Sequence, residues 1–148
     1  VRSRRQRQMC IRDSVKAKLS YLEGWTEKRR QNAKVYNQLL QQNALTQYIQ
    51  LPPEVLPRHV FNQYVIRAGI RRDELRTFLN KNKIGCEIYY PIPLHVQECF
   101  GSLGYKKGDF PESEKAANET LALPISHEIT QSQQEYIVEK IRRFFLGE

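Results

Sequence analysis

From Val15 onward the apolar residues recur at helical spacing. Leu19, Leu22, Ala33, Tyr36 and Leu40, with Arg29 among them, fall near the i, i+3, i+4, i+7 positions of one face, and Trp25 sits at its edge. Glu23, Glu27, Lys28, Gln31 and Lys34 occupy the other face. The spacing predicts one long helix over roughly residues 19–43, with Gly24 as its weak point. The start of this helix has no clean cap, as expected of a helix entered from preceding sequence.

The pattern then changes. Residues 51–58, LPPEVLPR, are punctuated by Pro52, Pro53 and Pro57 and predict an extended loop. Val60 to Ala68 is rich in β-branched and aromatic residues and predicts a strand, with Tyr64 and Ile66 on the face opposite Val65. Arg71 to Asn82 predicts a short helix with Asp73 as N-cap and Leu75, Phe78 and Leu79 as its apolar stripe. Ile84 to Tyr90 alternates, with Ile84, Cys86, Ile88 and Tyr90 on one face, and predicts a second strand. Pro91 and Pro93 then stiffen a loop that cannot continue a central strand.

Residues 97–110 are rich in turns. Pro111 marks the first position of a helix reaching Thr120, and Leu121 to Pro124 suits a short strand. Thr130 and Gln133 form the capping-box pair of a last helix whose buried face is Ile137, Val138, Ile141, Phe144 and Phe145. The order of elements implies an α+β domain, with a small antiparallel or mixed sheet and helices mainly on one face.

Charge changes the picture at the amino-terminal end. Residues 1–14, VRSRRQRQMCIRDS, hold five arginines and one aspartate, half of the net charge of +8. They show neither helical nor strand period. The string resembles the translated read-through of a sequencing adapter, and it is expected to be a non-native or disordered basic segment. The remaining charge is spread along residues 15–148 and calls for no nucleic-acid partner. No apolar run approaches the ~20 residues of a membrane span, and no secretory signal is legible. Cys10, Cys86 and Cys99 lack metal-ligand spacing and suit a reducing, cytoplasmic setting.

Candidate chemistry is sparse. No nucleophile elbow, phosphate loop, dinucleotide fingerprint or zinc-binding pair is present. The lysines lie among polar neighbours, whereas a Schiff-base lysine needs a pKa lowered by burial or by a nearby cation. The one unusual piece is Tyr89 to His95, where a strand ending in two tyrosines runs into a proline-stiffened loop that ends in histidine. Hydroxyls and an imidazole held in one pose suit a sugar nucleotide. Tyr89, Tyr90 and His95 are therefore the candidate substrate-binding residues. The same residues also fit an ordinary role in core, strand and turn. No catalytic, cofactor-binding or metal-binding residue is expected.

In combination, the segment VKAKLSYLEGWTEKRRQNAKVYNQLL, the QYVIR strand, the YPIPLH loop, GDFPESE with LALPI and the final T-x-x-Q helix resemble the carboxy-terminal region of the DegT-type aminotransferases. The resemblance runs from about Val15 to Phe145. It implies the small domain of the aspartate-aminotransferase-like fold, with the interdomain helix, over residues 15–148. It also implies a parent enzyme that uses pyridoxal 5'-phosphate to move an amino group from an amino acid, glutamate by expectation, to a nucleotide-linked ketosugar. The cofactor, its lysine and the aspartate under the pyridine nitrogen would belong to a large domain absent here, so this chain alone is expected to be inactive. The family implies a homodimer. Tyr89 and Tyr90 match a pair that is often His-Tyr in relatives; His95 closes the same loop; Gln63 and Arg67 look structural. The alternative is a stand-alone α+β module binding nucleic acid or a small molecule, against which Glu87 stands on the same strand face as Tyr89.

Overall fold

The computed structural model describes residues 4–55 and 58–147. It is rich in helix. Helix α1 spans Arg4–Leu19 and α2 spans Leu22–Gln42. Strand β1, Tyr64–Arg67, is followed by α3, Arg72–Lys81. Helix α4, Pro111–Glu119, leads directly into β2, Thr120–Leu123, and α5, Gln131–Leu146, closes the chain.

The helix expected over roughly residues 19–43 is α2, continuous through Gly24, and it is separated from α1 at Ser20 and Tyr21. There the Ser20 hydroxyl donates to the Ala17 carbonyl at 3.1 Å, and the Tyr21 amide reaches back only three residues, to Lys18 at 3.1 Å. Such side-chain competition for a backbone carbonyl tightens the last turn. Helix α1 reaches back to Arg4, where no periodic element was expected. Arg, Gln, Met, Leu and Lys are good helix formers, and a helical backbone ladder needs no partner. Every described side chain from Met9 to Gly24 is exposed. Leu19, expected in the buried stripe, is 57% exposed, and Leu22 is also exposed. The stripe is covered only lower down, at Thr26, Ala33, Tyr36 and Leu40.

The sheet has two antiparallel strands, with Tyr64 opposite Leu123, Val65 opposite Ala122, Ile66 opposite Leu121 and Arg67 opposite Thr120. Tyr64, Ile66, Leu121 and Leu123 are buried and join Tyr36, Leu40, Leu75, Leu79, Val138 and Ile141 in one core. Helix α5 packs against both α2 and α3. The strand expected over Val60 to Ala68 shortens to four residues, because Phe61 turns its backbone to φ 44° while burying its ring.

The strand expected over Ile84 to Tyr90 is reduced to one bridge, Glu87 opposite Ala122. Ile84 and Cys86 are buried as the alternation predicts, but Tyr90, on the same expected face, is 65% exposed. Past Glu87 no strand among the described residues lies alongside to complete a ladder. Asp73 is not the cap of α3. The N-cap is Arg71, after a single 3-10 turn at Gly69–Arg71, and Asp73 in the first turn pairs with Arg72 at 2.7 Å. The proline loop has no regular structure over 51–55, and Leu56 and Pro57 lie outside the described residues.

Candidate functional site

Tyr89 and Tyr90 stand where the chain leaves the sheet. Glu87 is held to β2 by two backbone bonds, its amide donating to the Ala122 carbonyl at 3.3 Å and its carbonyl accepting from the Ala122 amide at 2.8 Å. Two residues later the tyrosine rings meet edge to face, with centroids 6.2 Å apart. Tyr89 is 45% exposed and Tyr90 more so. Both residues are therefore open to a partner or solvent.

Tyr89 lines a small cleft of about 170 Å³ together with Asn62, Gln63, Gly85 and Glu87. The two amides, the carboxylate and the phenol offer donors and acceptors of the kind that read sugar hydroxyls. The cleft is smaller than the ~300–1,000 Å³ of a complete ligand pocket. Asn62 and Gln63 belong with Tyr89, an association the sequence did not signal. The positive φ at Phe61, which no local motif announces, sets the chain direction just ahead of them.

His95 lies elsewhere. Its side chain is buried, and Nε2 sits 3.0 Å from Glu114 Oε1. The same oxygen accepts a bond from the Gly108 amide at 2.6 Å. The imidazole also packs on the Phe110 ring at 4.9 Å, and Phe110 meets Tyr105 edge to face. Among the described residues no hydrogen bond or ring contact joins His95 to either tyrosine. The bond from Gly108, then the one from His95, holds the Glu114 carboxyl below the ordinary range for glutamate. His95 borders a second cleft of about 390 Å³ whose walls are Leu94, Phe100, Leu103, Tyr105, Phe110 and Ser113. The three candidate residues thus divide into an exposed tyrosine pair and a buried histidine hydrogen-bonded to Glu114.

Nine of the ten lysines are exposed, and the tenth, Lys140, is half-buried with its ammonium 5.1 Å from the centre of the Tyr136 ring. No group of three or more metal-ligating side chains occurs among the described residues. No described helix is long and apolar enough to cross a membrane.

Residues 14–142 match the DegT/DnrJ/EryC1/StrS aminotransferase family. The chain belongs to this family. It is 48% identical over 132 residues to a pleiotropic regulatory protein of Geobacillus stearothermophilus, covering 88% of this chain and 35% of that protein. It is 30% identical over 128 residues to the dTDP-3-amino-3,6-dideoxy-alpha-D-galactopyranose transaminase of Aneurinibacillus thermoaerophilus, covering 86% of this chain and 33% of the enzyme. Among solved structures, S. venezuelae DesV in complex with a ketimine intermediate superposes with a TM-score of 0.79 at 27% identity, over 88% of this chain and 34% of that one. A family aminotransferase from Brucella abortus gives 0.73 at 32% identity, over 86% and 33%.

The chain therefore spans about a third of the length of the relatives it matches. Members of the family are pyridoxal-phosphate-dependent sugar aminotransferases, and that cofactor needs a sheltered lysine for its Schiff base. The solvent-facing lysines of this chain do not fit the group. Membership in an aminotransferase family also gives no support to the alternative of a stand-alone nucleic-acid module.

Proposed function

We propose that residues 15–148 are the carboxy-terminal small domain, with its interdomain helix, of an aminotransferase with the aspartate-aminotransferase-like fold. Its reaction is transfer of an amino group from an amino acid, glutamate in this reading, to a nucleotide-linked ketosugar. The product would serve polysaccharide or amino-sugar biosynthesis. The observation that carries the reading is the family match over residues 14–142 by a chain covering only a third of its transaminase relatives. In this scheme pyridoxal 5'-phosphate is held by residues outside this chain, and the chain alone is inactive. The assembly is a homodimer in the cytoplasm.

The contribution of this chain is recognition. Tyr89 and Tyr90 present hydroxyls at the sheet edge, and Asn62 and Gln63 line the cleft beside Tyr89. Rigid phenols contribute contact area with little rotamer entropy to lose. Burial of His95 against Glu114 argues that it shapes the loop and does not touch substrate.

The test is a chimera that joins the amino-terminal two-thirds of the Aneurinibacillus transaminase to residues 15–148. The expected result is a soluble protein that binds the cofactor and aminates a dTDP-linked ketosugar with glutamate. Replacing both tyrosines by phenylalanine should then raise KM about tenfold or more, as expected for loss of hydrogen bonds to the bound sugar. A soluble, cofactor-loaded chimera with no transaminase activity would overturn the reading.

A further inference from the structure

Glu114 closes the GDFPESE motif without any role assigned to it by the sequence, and its carboxylate joins three parts of the chain. It projects from the first turns of α4 and accepts at one oxygen, Oε1, from His95 at 3.0 Å and from Gly108 at 2.6 Å. A carboxylate only accepts, so the His95 Nε2 that faces it carries the hydrogen. His95 opens the excursion that Gly108 ends. One oxygen therefore closes the loop, beside the ring contacts of His95 and Tyr105 with Phe110. The remaining local bonds support this shape: Gln97 Nε2 donates to the Ile92 carbonyl at 2.9 Å, and the Lys106 amide donates to Asp109 at 2.8 Å.

The consequence reaches the tyrosines. The chain from Glu87 to His95 is fastened at one end by the paired backbone bonds to Ala122 and at the other by the bond from His95 to Glu114. Between the two fastenings lie Tyr89, Tyr90, Pro91 and Pro93, and the prolines remove most of the remaining backbone freedom. Tyr90 is mostly exposed, and Tyr89 is about half covered, against its own neighbour and the small cleft beside it. Ile88, packed against the core, anchors the start of the segment, and the fastening at His95 sets its far end.

We propose that Glu114 is a positioning residue: by binding His95 and Gly108 at a single oxygen it holds the segment that presents Tyr89 and Tyr90. The benefit to substrate recognition rests on the reading given under Proposed function. The clamp itself does not.

The test uses the whole chain and NMR, with amide exchange as one readout and the tyrosine ring signals as the other. Glu114→Ala removes the acceptor. Glu114→Asp keeps the charge but is one methylene too short to reach both donors. Glu114→Gln retains an oxygen that can accept both bonds. Alanine and aspartate should speed exchange at Gly108, Val96 and Gln97 about tenfold, the expected cost of a lost hydrogen bond read through local opening. The Tyr89 and Tyr90 ring signals should move toward those of a free tyrosine. Ile66 and Leu121 in the β1–β2 ladder should stay within about twofold, and glutamine should behave as wild type. The proposal fails if the tyrosine signals of the aspartate variant do not move. It fails equally if ladder exchange rises together with that of the loop, which would make Glu114 a general stabilising residue. If the alanine variant does not fold, the aspartate and glutamine pair still decides. A chimera without activity beside a chimera-independent clamp would refute the substrate reading alone.

Discussion

The ring of Tyr36 on α2 stacks on the ring of Tyr64 on β1 at 4.9 Å between centroids, and each hydroxyl ties its own element to a different neighbour. Tyr36 donates to the Pro124 carbonyl at 2.9 Å, just beyond β2, and Tyr64 donates to Asn37 Oδ1 at 2.6 Å on α2. Both side chains are fully buried, and burial drives both phenol pKa values well above the ordinary tyrosine value. The pair is the joint between the long helix and the sheet whose edge carries Tyr89.

Tyr36→Phe should therefore lose one buried bond and leave the Pro124 carbonyl without its donor, a cost of about 1–3 kcal/mol. Tyr64→Ala removes a buried ring and should cost roughly 3–5 kcal/mol. Urea unfolding of the chain followed by circular dichroism checks both. A Tyr64→Ala variant as stable as wild type would show that the stack is not part of the core.

The three thiols should separate by reactivity. Burial pushes the Cys86 thiol up to about 12, so at pH 8 it is protonated as well as enclosed. Cys10 and Cys99 are exposed. Iodoacetamide at pH 8 should label Cys10 and Cys99 and spare Cys86 until urea is added, as read by peptide mass spectrometry. Labelling of Cys86 at the rate of the other two in the folded chain would contradict its burial in the core.

Acid should release the Glu114 clamp. Its carboxyl titrates below the ordinary glutamate range because the folded state gives the ionised form bonds from Gly108 and His95. The stabilisation is fully present above the ordinary glutamate pKa of about 4.3 and is lost as pH falls through the lower folded value. The Gly108 amide proton shift, followed by NMR against pH, should inflect below 4.3, that ordinary value. An inflection at or above it would show that the bonds do not favour the ionised carboxylate.

The chain by itself should form no specific aldimine. Nine lysines are exposed and Lys140 is half-buried, so no lysine has the enclosed setting that Schiff-base chemistry calls for. Incubation with pyridoxal phosphate and borohydride should give at most scattered, sub-stoichiometric labelling on peptide mapping. A single lysine labelled to completion would place a cofactor site within this chain.

Local chemistry was legible in the sequence wherever an element satisfies itself. The last helix begins as the sequence predicts, with the Thr130 hydroxyl accepting from the Gln133 amide and the Gln133 side chain accepting from the Thr130 amide. Pro111 opens α4, and Ile137, Val138 and Ile141 are buried on α5. Caps and helical stripes close within about four residues, so the sequence itself contains both partners. The family was legible too, because its motifs are strings in order. What only the tertiary structure decided are the features that need a partner far along the chain. Ile84 to Tyr90 has the alternation of a strand, but a strand exists only where a neighbour offers a ladder, and β2 meets it at Glu87 alone. Leu19 and Leu22 continue the apolar stripe of α2, yet burial depends on an opposing surface, and the described residues leave both exposed. His95 reads as a loop residue next to two tyrosines, but Glu114, nineteen positions away, takes it into the protein and leaves Tyr89 and Tyr90 outside.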